Sequence, residues 1–514
     1  MTTPGTPGHQ PGRLSDRLDG LLDSTVDGVL RASARRAPDR TALHYRDRSW
    51  TYAALDAAVS TAAAHLRTAR GLAEGDRVAT YGHNSDAYLI AYLACARAGL
   101  IHVPVNQNLT GADLTYILRQ SGSSLVLADP DLAVRVPEGF AVQPLRDAPD
   151  SFLDALKEPV PYEPDGNPLA PVQLLYTSGT TADPKGAIMT HRALVHEYAS
   201  AVEALDLADT DRPVHALPLY HSAQMHVFLL PYLAVGAENT LLDGPDAGTL
   251  FDLVEAGRAD SFFAPPTVWI SIANHPDFAT RSLDGLRKAF YGASIMPVPV
   301  LERLRARLPD LAFYNCFGQS EIGPLATVLR PEEHEGRMDS CGRPVRHVEA
   351  RILDEKGAEV PDGTAGEIAY RSPQLCLGYW GTDDQDLFAD GWFRSGDLAV
   401  RDAEGYFTIV DRVKDVINSG GVLVASRQVE DALYTHPAVA EAAVIGLPDE
   451  RWIEAVTAVV VPRDASLTED QLLAHAREKL AHFKAPKRIV FVDELPRNAS
   501  GKILKRELRD RFAG

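Results

Sequence analysis

The chain has 514 residues, 45% of them hydrophobic and 24% charged, and its formal net charge is −19. That length allows two or more domains, and the composition is that of a globular protein able to bury its apolar surface without covalent staples. The acidic balance excludes a general nucleic-acid binder and adhesion to anionic membranes, so an anionic substrate must be caught by a local cationic or backbone N–H site.

The first residues are rich in Pro, Gly and Thr and lack an apolar h-region, so 1–25 reads as a mobile tail and not as a signal peptide. TALHYRDRSWTY predicts a hairpin turning at Arg46–Asp47, and AALDAAVSTAAAHL predicts a helix after it. RVATYG reads as a short buried strand. Asn84 or Ser85 is placed to cap the next helix, AYLIAYLACARAG, which ends at Gly99. IHVPV and SSLVLAD are further strands, separated by a helix from Ala112 to Gln120 that Thr110 caps. Strand and helix alternate, which predicts a parallel, doubly wound sheet.

Asp147 to Pro171, rich in proline and acidic residues, reads as a link to a second sheet of the same kind. Its strands and helices are VQLLYTSG, a helix from His191, PVHALPL, SFFAPP and LRKAFYG. Between Val348 and Ser372 the pattern changes to the antiparallel strands of a small barrel-like subdomain. A boundary is expected near residues 411–415. Beyond it QVEDALYTH and EDQLLAHAREKLA read as helices, the second capped by Thr468. VAEAAVIGL, AVTAVVVP and RIVFVD read as strands, and KILKRELRDRF as the last helix. The expected class is therefore a large α/β domain over 26–412, with two doubly wound sheets and a barrel-like subdomain. A small, mobile α+β domain over 413–514 completes it.

The most apolar stretch, Val227 to Val235, contains Pro231 and is short of the ~20 residues of a membrane span. Cys95, Cys316, Cys341 and Cys376 have no CxxC spacing and read as free, buried thiols of a reducing compartment, which places the protein in the cytoplasm without an integral membrane segment.

From Leu174 to His191 the chain reads LLYTSGTTADPKGAIMTH. An apolar strand runs into Thr177, Ser178, Gly179, Thr180 and Thr181, followed by Lys185. Hydroxyls and glycine N–H groups in that order can surround phosphate oxygens, with the lysine adding a cation. The pattern is not GxxxxGK[ST], because no Ser or Thr follows the lysine to hold magnesium. A Ser/Thr/Gly turn after a strand is the bland alternative.

YTSGTTADPKG resembles the most diagnostic motif of the adenylate-forming (AMP-binding) superfamily, which holds acyl-CoA synthetases, the adenylation domains of peptide synthetases and beetle luciferases. The resemblance runs from about Asp27 to the C-terminus. It implies an ATP-dependent acyl-CoA ligase of the fatty acyl-CoA type. Acid, ATP and coenzyme A would give acyl-CoA, AMP and pyrophosphate through an acyl-adenylate, with Mg2+ as cofactor. In NCFGQSEIGP it brings Asn315, Cys316, Phe317, Gly318 and Ser320 to the nucleotide. Phe317 would stack on adenine, and Glu321 would hold Mg2+, for which a carboxylate is a suitable hard ligand. Phe317 and Ser320 replace the family's usual Tyr and Thr. Gly292, Ala293 and Ser294 of YGAS would line adenine and the acyl pocket, the glycine admitting close approach of a ligand.

Asp397 would accept from the ribose hydroxyls and Arg412 would reach the same ribose, although Gly-Asp alone reads as an ordinary turn. The resemblance puts the adenylation lysine at Lys502, bridging carboxylate and α-phosphate, whereas Lys505 and Arg506 read as solvated residues of the last helix. It also implies rotation of the small domain about Lys414, which would bring Ser419, Gly420 and Gly421 to the thiol. In that loop Leu423 stands for the family's Asn, and Ala425-Ser426 replaces a segment containing proline.

LPLYHSAQMHVFLL places His221 where family members gate the acyl pocket, with a satisfied core histidine as the alternative. Met225, Phe228, Leu229 and Leu230 around it are apolar, and no charged residue nearby suits a substrate amine. A fatty acid is expected first and a bulky aromatic or terpenoid acid second. An acyl-AMP ligase that loads an acyl carrier protein, or an enzyme of one half-reaction, stays open, as does a homodimer.

Overall fold

The computed structural model describes residues 20, 22–164, 166–177, 184–294, 296–382, 388, 391–449, 451–464, 466–497 and 503–512. The alternation of buried strand and helix yields two doubly wound sheets, as the pattern predicts. In the first, strands lie in the order Val142–Pro144, Ser123–Ala128, Arg77–Tyr81, Ile101–Pro104, Pro171–Thr177, Lys185–Thr190. All neighbours are parallel except the last pair, which sets Thr177 opposite Lys185.

The second sheet has a parallel interior from Thr41–Tyr45 through Asn239–Leu241, Pro213–His215, Ser261–Ala264 and Lys288–Gly292 to Ala312–Phe317. Antiparallel strands close both edges: Arg48–Thr51, reached through the expected hairpin, and Thr327–Leu329 with Arg343–Pro344.

The helix Asp86–Arg97 is buried at every position, as a helix apolar all round must be. The Ser85 hydroxyl starts it by accepting the Tyr88 N–H at 3.2 Å. Asn84 does other work: its amide donates to the carbonyls of Leu217 and Leu242, 2.9 and 3.0 Å away, joining the two sheets. Thr110 corrects the reading. It stands at the N-cap of Gly111–Ser121, but its side chain makes no cap hydrogen bond.

A buried polar chain runs through the first sheet. Gln173 Oε1 can only accept and Nε2 only donate, so His226 Nε2 donates to Gln173, which donates to His102 Nδ1 (2.7 and 3.1 Å). Tyr198 then donates to His226 Nδ1, and His102 to Thr80, both at 3.0 Å. Burial holds both imidazoles neutral, with pKa values lowered to about 3.

The subdomain is a four-stranded antiparallel sheet, Glu349–Leu353, Gly366–Arg371, Phe393–Arg401 and Phe407–Arg412. Residues 417–491 build the last sheet, whose long hairpin Val439–Asp449/Ile453–Pro462 packs on Ser426–Tyr434 and Glu469–Lys479. Thr468 forms the expected cap, reciprocated by Gln471. Lys505 overturns its reading as a solvated residue: it is partly buried, its Nζ 2.7 Å from Glu430 Oε1 and 2.6 Å from the Ser426 hydroxyl. Arg506 is exposed as expected.

All four cysteines are buried free thiols. Val227–Val235 is divided between a π-helical turn, Ala223–Leu229, and the helix Leu230–Val235. No described helix is long and apolar enough to cross a membrane.

Candidate active site

A cleft of about 1030 Å³ opens where the large sheets, the antiparallel subdomain and residues beyond 412 converge. Thr177, Pro184 and Lys185, which flank the segment read from the sequence as a phosphate loop, line it. The buried strand Pro171–Thr177 delivers Thr177 to this edge, with Val172, Leu174 and Leu175 buried in the core. Ser178, Gly179, Thr180 and Thr181 lie outside the described residues.

Glu321 sits in the turn Ser320–Ile322 that follows the strand Ala312–Phe317. Gly318 between them has φ +155°, and a Cβ there would stand 2.0 Å from the Pro324 carbonyl, so the tight return needs glycine. Two hydroxyls donate to the same carboxylate oxygen, Glu321 Oε1: Thr177 at 3.0 Å and Tyr379 at 2.8 Å. Oε2 makes no hydrogen bond to a described residue. One hard oxygen is thus left for a cation, and a single carboxylate completed by substrate phosphates and water is a ligand set that Mg2+ takes. Lys185 Nζ lies 5.3 Å from the centre of the Tyr379 ring.

Asp397 and Arg412 are direct cross-strand partners, and their side chains pair at 2.6 Å with Asp397 almost wholly buried. The Ser395 hydroxyl, which accepts the Asp397 N–H at 3.0 Å, shapes the bend before it. Ser294, Asn315, Cys316, Phe317, Gly318 and Ser320 all line the cleft. Gly292 has a reason other than ligand approach: a Cβ would stand 2.1 Å from the Cys316 carbonyl of the neighbouring strand. Ala293, which follows, has φ +64°. Asn315 spends its amide on the Ser340 carbonyl at 2.8 Å.

The apolar end of the cleft is walled by the π-helical turn Ala223–Leu229 through Ala223, Val227 and Phe228, with Phe263, Ile270 and Met296 facing it. Phe228 and Phe263 stack at 4.2 Å between centroids, and Phe290 lies 5.0 Å behind Phe228. His221 stands at the junction. Burial lowers its pKa to about 4, so it is neutral, and its Nε2 has no hydrogen-bond partner among the described residues. Beside it the Ser222 and Ser320 hydroxyls meet at 2.9 Å, linking the apolar wall to the turn that carries Glu321.

Lys502 lies outside the described residues. Arg497 and Ile503, on either side, form an antiparallel bridge and line the cleft. Lys414 also lines it, within the turn Val413–Asp415. Ser419, Gly420 and Gly421 are off the cleft; Gly420 donates its N–H to the Trp452 carbonyl at 2.6 Å.

Sequence reasoning missed Tyr379, Glu197 and Gln374. Gln374 Nε2 is 2.7 Å from Glu197 Oε2 and within 3.2 Å of the Ile322 and Leu325 carbonyls, clamping the turn that bears Glu321. Complete burial pushes the Glu197 carboxyl well above its ordinary pKa. The available signal was Glu197 set between Val195 and Tyr198 on the helix His191–Ala204, among its buried positions.

Models of the AMP-binding enzyme and of its C-terminal domain match residues 30–380 and 428–502. Feruloyl-CoA synthase of Amycolatopsis sp is 40% identical over 93% of this chain and 97% of that protein. Fatty acid–[acyl-carrier-protein] ligase ScoC of Streptomyces coeruleorubidus is 34% identical over 97% of this chain and 98% of its own length. Among solved structures, the anthranilate CoA ligase AuaEII in complex with anthranoyl-AMP superposes with a TM-score of 0.89 at 25% identity, covering 96% of this chain and 98% of that one.

Proposed function

The chain belongs to the AMP-binding enzyme family and is an AMP-forming acid–CoA ligase using ATP, Mg2+ and coenzyme A, and from that premise we propose that its acid is hydrophobic and carries an aromatic ring. The observation that carries this reading is the placement of Lys185, Glu321 and the Asp397–Arg412 pair around one cleft that ends on stacked phenyl rings. The stacked pair Phe228–Phe263, with Phe290 tilted against Phe228, makes the apolar end aromatic, a lining that suits a substrate ring. Kinship to feruloyl-CoA synthase at 40% identity supports the same ranking over a fatty acid.

In the first half-reaction a carboxylate oxygen attacks the α-phosphorus of ATP, the bond to the bridging oxygen breaks, and pyrophosphate leaves. Thr177 to Thr181 and Lys185 hold the phosphates, Asp397 and Arg412 hold the ribose, and Phe317 lies against the base. Glu321 Oε2 would hold Mg2+, which neutralises the departing pyrophosphate when bound. Lys502 brings its ammonium between the two anions, lowering the repulsion that keeps them apart. In the second half-reaction the coenzyme A thiolate attacks the carbonyl and AMP leaves. The small domain, 413–514, turns about Lys414 to withdraw Lys502 and bring Ser419, Gly420 and Gly421 to the thiol, while neutral His221 yields at the mouth of the acyl pocket.

Supplying a panel of acids with ATP, Mg2+ and coenzyme A, and reading AMP and thioester by mass, tests the reading. Arylpropenoic acids are expected to exceed medium-chain fatty acids by about tenfold or more in kcat/KM, the span one mismatched apolar contact gives. Equal or reversed preference would sink it. Carrier-protein loading is the second reading, favoured by kinship to ScoC; competition between coenzyme A and a phosphopantetheinylated carrier decides between acceptors.

A further inference from the structure

Resting on the ligase reading above, we propose that Tyr379 is a positioning residue for the metal–nucleotide complex, its hydroxyl setting the rotamer of Glu321 and its ring seating the Lys185 ammonium. Two stretches of chain distant in sequence meet the segment that carries it. Its hydroxyl donates to Glu321 Oε1 at 2.8 Å. Its backbone pairs with Ala187, just beyond the phosphate-loop lysine, and the next residue, Trp380, donates its N–H to Gly186 at 2.8 Å. Three residues earlier, Cys376 donates its N–H to the Glu321 carbonyl at 2.8 Å. The phosphate strand, the metal carboxylate and the segment carrying Tyr379 are therefore pinned to one another by backbone bonds, and the side chain sits where they meet.

The chemistry of the two Glu321 oxygens says what the hydroxyl does. Thr177 and Tyr379 both donate to Oε1, so the carboxylate is fixed from one side and Oε2 is left to a cation. Thr177 also belongs to the phosphate cradle. Once a phosphate oxygen takes its proton, Tyr379 is the anchor that keeps Oε2 aimed. An outer partner of this kind sets ligand orientation, and its loss costs about 10–100-fold in metal affinity. The ring has a separate task. At 5.3 Å from the centroid, Lys185 is within cation–π range, which holds the ammonium toward the cleft before any phosphate arrives.

The two tasks separate in a binding experiment that needs no turnover. ATP is titrated into the full chain by calorimetry in EDTA, and Mn2+ is then titrated into the ATP complex and followed by electron paramagnetic resonance. Tyr379→Phe keeps the ring and loses the hydroxyl. It is expected to raise the half-saturating Mn2+ concentration about tenfold, while metal-free ATP affinity stays within about twofold. Tyr379→Ala loses both tasks, and its metal-free ATP affinity falls about fivefold as well. Tyr379→His, which keeps a ring and a donor, brings the Mn2+ midpoint back toward that of the unmodified protein. An unchanged Mn2+ midpoint in Tyr379→Phe overturns the proposal, as does a loss of the same factor with and without metal. If the unmodified protein binds no ATP, the ligase reading falls first and this proposal with it.

Discussion

Lys502 is the residue proposed to bring an ammonium to the nucleotide, and the described residues nearest to it in the chain, Arg497 and Ile503, pair with each other and line the cleft. In a chain of net charge −19 the approach of a carboxylate to ATP is opposed by the overall field, and a positioned cation is worth most where water is excluded. Lys502→Ala is expected to slow acyl-adenylate formation by about 10²–10³-fold and to leave thioester formation from supplied acyl-adenylate within a few-fold. Pyrophosphate exchange and adenylate-to-thioester transfer, assayed separately, check this; equal loss in both would refute the division of labour. Acetylated Lys502 should behave like the alanine variant, since the modification removes the charge.

The helix Ser426–Tyr434 shows how an element can depend on a neighbour for its beginning. Its N-cap residue is Ala425, which has no side-chain acceptor. Asp411, at the end of the strand Phe407–Arg412, supplies one: Oδ2 accepts the Ser426 N–H at 2.6 Å and the Ser426 hydroxyl at 2.7 Å. Lys505 approaches the same hydroxyl from the last helix, and Arg509 pairs with Asp415 at 2.6 Å. The antiparallel subdomain thus caps a helix of the C-terminal unit across the residue proposed as the hinge. Asp411→Ala should destabilise this junction by about 1–3 kcal/mol, the cost of a lost cap with a buried donor left unmet. The midpoint of the earliest thermal transition should fall, with Asp411→Asn in between; an unchanged midpoint in the alanine variant would contradict the role.

Over the whole molecule, the buried histidines decide the response to acid. Burial lowers His102 and His226 to about 3, and His191, His215 and His221 to about 4, against an ordinary 6.5. Between those values the unfolded chain binds more protons than the folded one, so stability is lost as pH falls below 6.5, by about 1.4 kcal/mol per pH unit for each histidine. Glu197 and Asp431, raised by burial, the latter to about 6, act in the opposite sense, two groups against five. The urea midpoint should therefore drop steadily from pH 6.5 to 4.5; a flat profile would show that these imidazoles are charged in the fold. Much of this molecule is local in origin and was legible in the residues alone. Short apolar runs alternating with helical segments placed the strands and helices of both large sheets, and the Thr468 cap and the Arg46–Asp47 hairpin are encoded by their neighbours in the chain. Thr177, Lys185, Glu321, Asp397 and Arg412, which the fold gathers at one cleft, were each singled out from a contiguous motif. What only the tertiary structure decided are pairings across long separations: Tyr379 on Glu321, Gln374 on Glu197, Asn84 on the second sheet, Asp411 on a helix that lacks its own cap. Short-range pattern carries no record of these, because a hydrogen bond between distant residues depends on where the folded backbone brings them and not on what stands beside them.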